Sequence, residues 1–423
     1  MCQPLRPLHS AKIERIIFRF QVRKPIMTQT HSLLRYSLVL GLVAAVGPFA
    51  IDMYLPAMPD IGADLGSSMQ AVQWTIVAYF MAFGLAQLFY GPWADQAGRK
   101  APLYAGLVLF ILGTVICALA PTIEMLILGR FVQGVGGAAN MVVLRAVIRD
   151  LATGSSATRM MSTIMIVIAI SPLLAPLSGS ALLAFGTWRL IFWALLVAAG
   201  LSFLLIYFVL EETLTPEHRK PFDLATMRAG TGMLLRDRGF MVMTFLAGFS
   251  FASFFVFIAS ASFVYTGQFG LSPTQFSLAF AVNAIGFFAA SQFAAPLGER
   301  LGPHRIIVLA TTGFALSTIA LFVVGLAGFA TLPVTMAGLF IGNVFLGVVL
   351  PTSQVLALEE QGEHAGLASS LGGTMQMVAA GVLVAAAGPF LDGTVVPMLA
   401  AIALCGVIAL GLSRLIPHQA ALA

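Results

Sequence analysis

Charged side chains are scarce. Asp, Glu, Lys and Arg make up 9% of the chain and hydrophobic residues 59%, where a soluble domain carries about 25% charged residues. That shortage excludes a soluble globular protein. Cysteine is nearly absent as well. Cys2, Cys117 and Cys405 are the only three, and their separation gives neither a disulfide framework nor metal-ligand spacing. The six histidines are scattered over termini and polar segments, so no metal site is expected. No phosphate-cradling G-x-x-x-x-G-K-[ST] loop is present, which argues against ATP hydrolysis by the chain itself. No cluster of His, Asp or Ser groups at one depth marks a membrane-embedded enzyme, so the chain is not expected to be one. The apolar runs are long and continuous and lack two-residue alternation, which excludes a transmembrane barrel.

What is present is a succession of apolar segments. We place twelve, at 33–58, 70–93, 101–120, 122–148, 159–184, 187–210, 238–263, 273–298, 304–326, 330–357, 365–390 and 394–416. Each is long enough, at about 20 residues, to cross a bilayer as a helix. The expected fold is an all-α membrane protein of about twelve transmembrane helices in two six-helix bundles, 33–210 and 238–416. A polar linker, 211–237, joins them, and 417–423 forms a short tail. The net charge of +5 sits in residues 1–26, where six basic side chains stand against Glu14. Residues 1–32 are therefore a basic N-terminal segment, with a possible upstream extension before a start at Met27. Because the charge is local to this segment, it is no argument for nucleic-acid binding. Beyond it, Arg99, Lys100, Arg219, Lys220, Arg228, Arg236 and Arg305 fall in loops on one side, and Arg189 alone falls on the other. The positive-inside rule then puts both termini in the cytoplasm of a multi-pass protein.

Within this apolar chain a few polar residues stand out. Asp52 lies in GPFAIDMYLPAMP (47–59). A carboxylate near a membrane-helix centre costs about 2.5–3.5 kcal/mol on insertion scales, so it is expected to face water, pair with a cation or carry a proton. The fourth segment carries Arg130, Gln133, Gly137 and Asn140 on one helical face, which points into a bundle. Asp52 and Arg130 lie at similar expected depths, so a direct or water-mediated pair is possible. Pro56 and Pro59 should weaken the helix just beyond Asp52. Tyr54, Gln133, Asn140, Phe254, Phe257, Asn283 and Gln376 are the candidates for lining a substrate cavity. For Asn283 and Gln376 the alternative is hydrogen bonding between helices without ligand contact, since lipid offers an amide no partner. For Arg130 it is a structural counter-ion.

The segment GPWADQAGRK (91–100) follows the second apolar run, and APLGERLGPH (295–304) follows the eighth. Gly91, Asp95, Gly98, Arg99 and Lys100 form the pattern G-x-x-x-D-x-x-G-R-K. Gly91 is expected to let two helices approach, Gly98 to permit the tight turn, and the charges to latch neighbouring helices. Pro92, Asp95 and Gly98 match Pro296, Glu299 and Gly302, so the halves are a parallel repeat. This loop resembles the signature loop of the major facilitator superfamily. R-x-x-Q-G in the fourth segment is similar to that superfamily's drug-antiporter motif. SPLLAPLSGS (171–180) is similar to its G-P-x-x-G-G motif: Pro172, Pro176 and Gly179 remain, while Ala175 and Ser180 replace the first and last glycines. The run Asp52 to Pro59, with Trp188-Arg189, resembles the bicyclomycin/chloramphenicol-resistance branch, Bcr/CflA.

The resemblance implies proton-driven export of small hydrophobic drug-like substrates across a bacterial inner membrane, with antibiotic resistance as its consequence. It implies proton coupling at Asp52 and Arg130, no cofactor beyond the coupling proton, and no obligate protein partner. One chain supplies both halves, so a monomer is expected. A metabolite carrier of the same superfamily, for an amino acid, purine or sugar, stays open as an alternative. A receptor leaves the repeated loops unexplained.

Overall fold

The computed structural model describes residues 30–152, 154–219, 224–359 and 361–416. Most of the basic N-terminal segment, the possible start at Met27 and the tail 417–423 lie outside the described residues. So does Lys220 of the linker.

The described chain is a series of helices and contains no strand. In order they are α1 (Thr30–Asp52), α2 (Met58–Asp64), α3 (Met69–Ala97), α4 (Lys100–Ala118), α5 (Ile123–Leu151), α6 (Gly154–Phe185) and α7 (Arg189–Val209). There follow α8 (Leu224–Leu234), α9 (Arg238–Phe263), α10 (Pro273–Leu301), α11 (Pro303–Leu326), α12 (Leu332–Glu359), α13 (Ala365–Ala387) and α14 (Val395–Ser413). Among the described residues, twelve spans are long and apolar enough to cross a membrane. Their outer faces carry large apolar side chains, such as Phe89, Phe185, Phe208 and Phe390, a surface that only a hydrocarbon environment covers.

Local chemistry sets the helix ends. The Ser68 side chain accepts from the Ala71 N–H at 3.2 Å at the start of α3. Thr122 accepts from Met125 at the start of α5. At α10, Ser272 and Gln275 make a reciprocal capping box, which satisfies two of the N–H groups a helix start leaves free. Asp237 caps α9 through the Phe240 N–H and also accepts from Gln361 Nε2 at 3.0 Å. Burial raises its pKa, but those hydrogen bonds and the Gly239 N–H outweigh burial and hold the carboxyl below its usual range.

The first bundle packs α5 against α3 and α4, and α1 against α6. The second packs α12 against α10 and α11, and α9 against α13 and α14. Between bundles the main contacts are α3 with α13 and α6 with α10. The short helix α8 lies in the linker, so one end of the molecule is the linker end.

One boundary departs from the sequence expectation of a single segment over 33–58. The first α-helix stops at Asp52, a 3-10 turn spans Leu55–Ala57, and α2 starts at Met58. Pro56 and Pro59 stand at the first or second positions of these two short elements, where a missing N–H costs no hydrogen bond. The break thus begins directly after Asp52, where the two prolines were expected to weaken the helix.

Candidate functional site: an arginine cage and a cleft between the bundles

Asp52 is the last residue of α1 and is 6% exposed. Among the described residues it makes no ion pair and no hydrogen bond. Arg130, on α5, is wholly buried. Its Nη1 donates to the Ala50 carbonyl at 2.9 Å and to Gln133 Oε1 at 2.6 Å. Its guanidinium lies between two aromatic rings, 4.8 Å from the centroid of Tyr54 and 4.5 Å from that of Tyr79. Such cation–π contacts strengthen when water is excluded. Nε and Nη2 have no partner, so the cation is held in place with hydrogen-bonding capacity to spare. Arg130 therefore engages the last turn of α1 through a backbone oxygen two residues before Asp52, and not through its carboxylate.

The rest of the cage is a chain of side chains. Gln133 Nε2 donates to Thr114 Oγ1 at 2.8 Å, and Thr114 donates to the Phe110 carbonyl. The Tyr54 and Thr75 hydroxyls are 2.8 Å apart. The structure thus places Tyr54 and Gln133 in the packing around Arg130, whereas they were expected on a cavity wall. Asn140 is buried on the same helix with both amide atoms unpartnered. Gly179 of α6 packs so tightly on the backbone of Met53 that a Cβ there would overlap the Met53 carbonyl. The glycine kept from the antiporter-like pattern thus seats α6 on the turn that follows Asp52.

At the linker end, Arg99 is 2% exposed. It donates to Asp95 at 2.6 Å, to Asp150 at 2.8 Å and to the Ala94 carbonyl at 2.9 Å. Burial opposes the charged guanidinium, but the bonds to Asp150 and Asp95 outweigh it and raise Arg99 above its usual value. The Glu212 carboxylate, from the start of the linker, accepts from the Arg99 and Lys100 N–H groups. It thereby caps α4, where a negative charge is favourable. Lys100 Nζ sits over the Tyr104 ring. Gly98 turns the chain at φ 96°, and a Cβ there would stand 2.6 Å from Glu212 Oε2. Gly91 is less demanding: a Cβ would meet Val142 at 3.9 Å, an ordinary contact. Asp150 and Glu212 were not singled out in the sequence, though both are acids at span ends facing a basic loop.

The opposite end is sealed. Gln73 Nε2 of α3 donates to the Ala259 carbonyl of α9 at 3.2 Å, and Ser277 of α10 donates to the Pro176 carbonyl of α6 at 2.9 Å. Phe80 and Phe255 stack across the bundles with centroids 3.7 Å apart. Beyond them Arg189 pairs with Asp64 at 2.7 Å, and Trp188 Nε1 donates to the same carboxylate. Phe254 and Phe257 stack within the second bundle, on Phe287 and Phe280. Phe255, between them in sequence, is the ring that crosses, and the i, i+3 spacing of its neighbours hid it. Asn283 Oδ1 accepts from Asn343 Nδ2 at 3.3 Å, and Asn283 Nδ2 donates to the Ala279 carbonyl. The first bond ties α10 to α12 and the second stays within α10, and Asn283 is not on the cleft wall. Pro172 and Pro176 both lie inside α6.

Toward the linker end the bundles part. A cavity of about 120 Å³ is lined by Phe83, Gln87, Met141, Arg145, Phe240, Thr244, Gln354 and Gln376, among others. Gln376 is the one expected cavity residue found on this wall. The arrangement is a vestibule open at one end, a closed gate at the other, and an unpaired acid on the gated side.

The chain as a whole has relatives among known proteins. The Major Facilitator Superfamily description matches residues 40–384. The chain belongs to this superfamily. It is 34% identical to the uncharacterized MFS-type transporter YdgK of Bacillus subtilis, over 86% of this chain and 91% of that one. It is 31% identical to the bicyclomycin resistance protein homolog of Haemophilus influenzae, over 90% and 96% of the two chains. Among solved structures, the D-xylose–proton symporter overlays with a TM-score of 0.73 at 16% identity, covering 91% of this chain and 98% of its own. That likeness carries the fold alone. The chain is thus a multi-pass transporter of the bicyclomycin-resistance branch and not an enzyme.

Proposed function

We propose that the chain exports small hydrophobic drug-like compounds across a bacterial inner membrane in exchange for protons, by alternating access around the cleft. The observation that carries this reading is Asp52: an acid with no partner, 6% exposed, at the break between α1 and α2 on the sealed side of the molecule. A carboxylate at membrane depth is costly unless it is paired, hydrated or protonated, and here no cation pairs it. When the sealed end opens, Asp52 takes up a proton there. When the linker end opens, it releases that proton as substrate enters. The basic loops support a cytoplasmic linker end and cytoplasmic termini.

The energy fits the task. Each proton entering contributes about 2.3 kcal/mol per 100 mV of membrane potential, with its pH-gradient contribution added. With Asp52 as the single titrating site, one proton enters per cycle, and export of a neutral compound is electrogenic. Arg130 holds the last turn of α1 by its backbone, so its movement relative to Ala50 would link the state of the acid to the position of α5.

The test is bicyclomycin export from an efflux-deficient host expressing the chain, with and without an uncoupler. Resistance is expected to collapse with the uncoupler. Asp52→Asn is expected to insert normally and to abolish gradient-driven export. Unchanged export by that variant would remove Asp52 from coupling. A direct ATP requirement in proteoliposomes lacking a pH gradient would remove secondary transport altogether.

A further inference from the structure

Arg145 has no task in the scheme above. It lies on α5, a turn and a half before Leu151, and is exposed. Its exposure is to the cleft, whose wall it helps to form. Among the described residues it makes no ion pair and no hydrogen bond, and Asp150, an acid close by in sequence, is engaged by Arg99 and Thr213. Among the described residues Arg145 is the only charged one on that wall. Around it stand other polar groups without partners. The Thr244 hydroxyl is 1% exposed and unpaired, and Gln87 and Gln376 are each 8% exposed and make no hydrogen bond among the described residues. The remaining wall is apolar, with Phe83, Met141, Phe240 and Met377.

Membrane orientation alone does not account for this arginine. Arg149 and Arg159 supply positive charge at the same end of the molecule, and neither lies on the cleft wall. A buried hydroxyl and two nearly buried amides without partners are costly in a closed interior. They become useful when a ligand satisfies them. A hydrophobic cation would meet an unopposed positive charge here, with no carboxylate among the described residues of the wall to receive it, and such a mismatch is how a site rejects a ligand.

We propose that this cleft binds a small apolar monoanion, with its carboxylate or equivalent acidic group on Arg145 and within reach of Thr244, Gln87 and Gln376. The apolar body lies against the phenylalanines and methionines. This rests on the reading that the cleft holds the exported compound, and it adds amphiphilic weak acids to the compounds that the cleft accepts. Exchange of one such anion for one proton moves two positive charges inward per cycle, so the membrane potential drives both.

The test uses the full chain in nanodiscs of phosphatidylcholine at neutral pH, with no gradient. Binding of naphthylacetate and of its neutral isostere naphthylacetamide is measured by equilibrium dialysis. The wild type is expected to prefer the carboxylate by about tenfold, the scale of one charge-assisted hydrogen bond. Arg145→Gln is expected to bring the carboxylate down to the affinity of the amide, and Arg145→Lys to keep most of the preference. Thr244→Val, which leaves the Arg145 cation in place, is expected to weaken the carboxylate several-fold, which keeps the proposal testable should Arg145→Gln fail to fold. Equal binding of the two probes by the wild type, or a preference that survives Arg145→Gln, overturns it. Loss of the preference in discs of phosphatidylglycerol assigns the cleft to a lipid headgroup and also overturns it. Because binding is read without a gradient, failure of Asp52-dependent export and failure of this proposal are separate results.

Discussion

Helices α3 and α10 are two copies of one element. Each has 29 residues and starts on a serine cap, Ser68 or Ser272. Each carries a proline near its end, Pro92 or Pro296. Each stops at a glycine with positive φ, 96° at Gly98 and 84° at Gly302. All three pairs keep the same spacing of 204 residues. After the glycine the copies part. Arg99 turns inward to Asp95 and Asp150, while Pro303 and His304 occupy the matching places. Glu299, Arg300 and Arg305 are exposed, and no described ion pair engages them. The backbone of the repeat is symmetric and its charge is not. The same holds deeper in the membrane, where Val256 stands at the matching spacing from Asp52.

The largest effect should come from cutting the latch. Arg99→Ala leaves Asp150, 16% exposed, without its cation and is expected to destabilise the protein by about 3 kcal/mol. Arg300→Ala, at an exposed position, is expected to stay within about 0.5 kcal/mol. Thermal melting of the detergent-solubilised variants, followed by tryptophan fluorescence, compares them. Equal shifts would show that the two turns bear equal load and would break the asymmetry.

Next come the glycines. Alanine at either position is strained, since positive φ costs a residue with a Cβ about 1–2 kcal/mol. Only Gly98→Ala also pushes against Glu212 and disturbs its two N–H contacts at the start of α4. It should therefore exceed Gly302→Ala by about 1 kcal/mol. Pairing Gly98→Ala with Glu212→Ala sharpens the point. Removing the carboxylate should shrink the difference between the two glycine variants, and an unchanged difference would show that Glu212 is not its source.

Much of this was legible in the sequence. The twelve spans follow from run length, and the repeat follows from the matched prolines, acids and glycines. Asp52 and Arg130 announce themselves because charge in an apolar run needs a reason. The partners were not legible. Arg130 meets a backbone carbonyl, which every residue owns, and two tyrosine rings, of which only Tyr54 had been noticed. Phe255 crosses the bundles where Phe254 and Phe257 do not, because helix rotation in the assembled molecule decides which ring faces outward from its own bundle. Arg145 reads in the sequence as one more positive residue near the end of a span. Only the parting of the bundles puts it on a wall with unpartnered amides.

The smallest effect tests the symmetric part of the comparison. Ser68 accepts from the Ala71 N–H at 3.2 Å, and Ser272 from the Gln275 N–H at 3.3 Å. Alanine at either site removes one capping bond and should cost about 1 kcal/mol. Ser272 adds the return bond from its own N–H to Gln275 Oε1 at 2.9 Å. That bond uses the backbone and survives the substitution, so Ser272→Ala should cost no more than Ser68→Ala. Hydrogen exchange at the freed amides, Ala71 and Gln275, reads each cap separately. Matching losses of protection at the caps, beside unequal losses at the turns, would place the divergence of the two halves at the linker end of this helix alone. Unequal losses at the caps would mean that the copies have diverged along their whole length, and the shared geometry would then be held by different forces in each half.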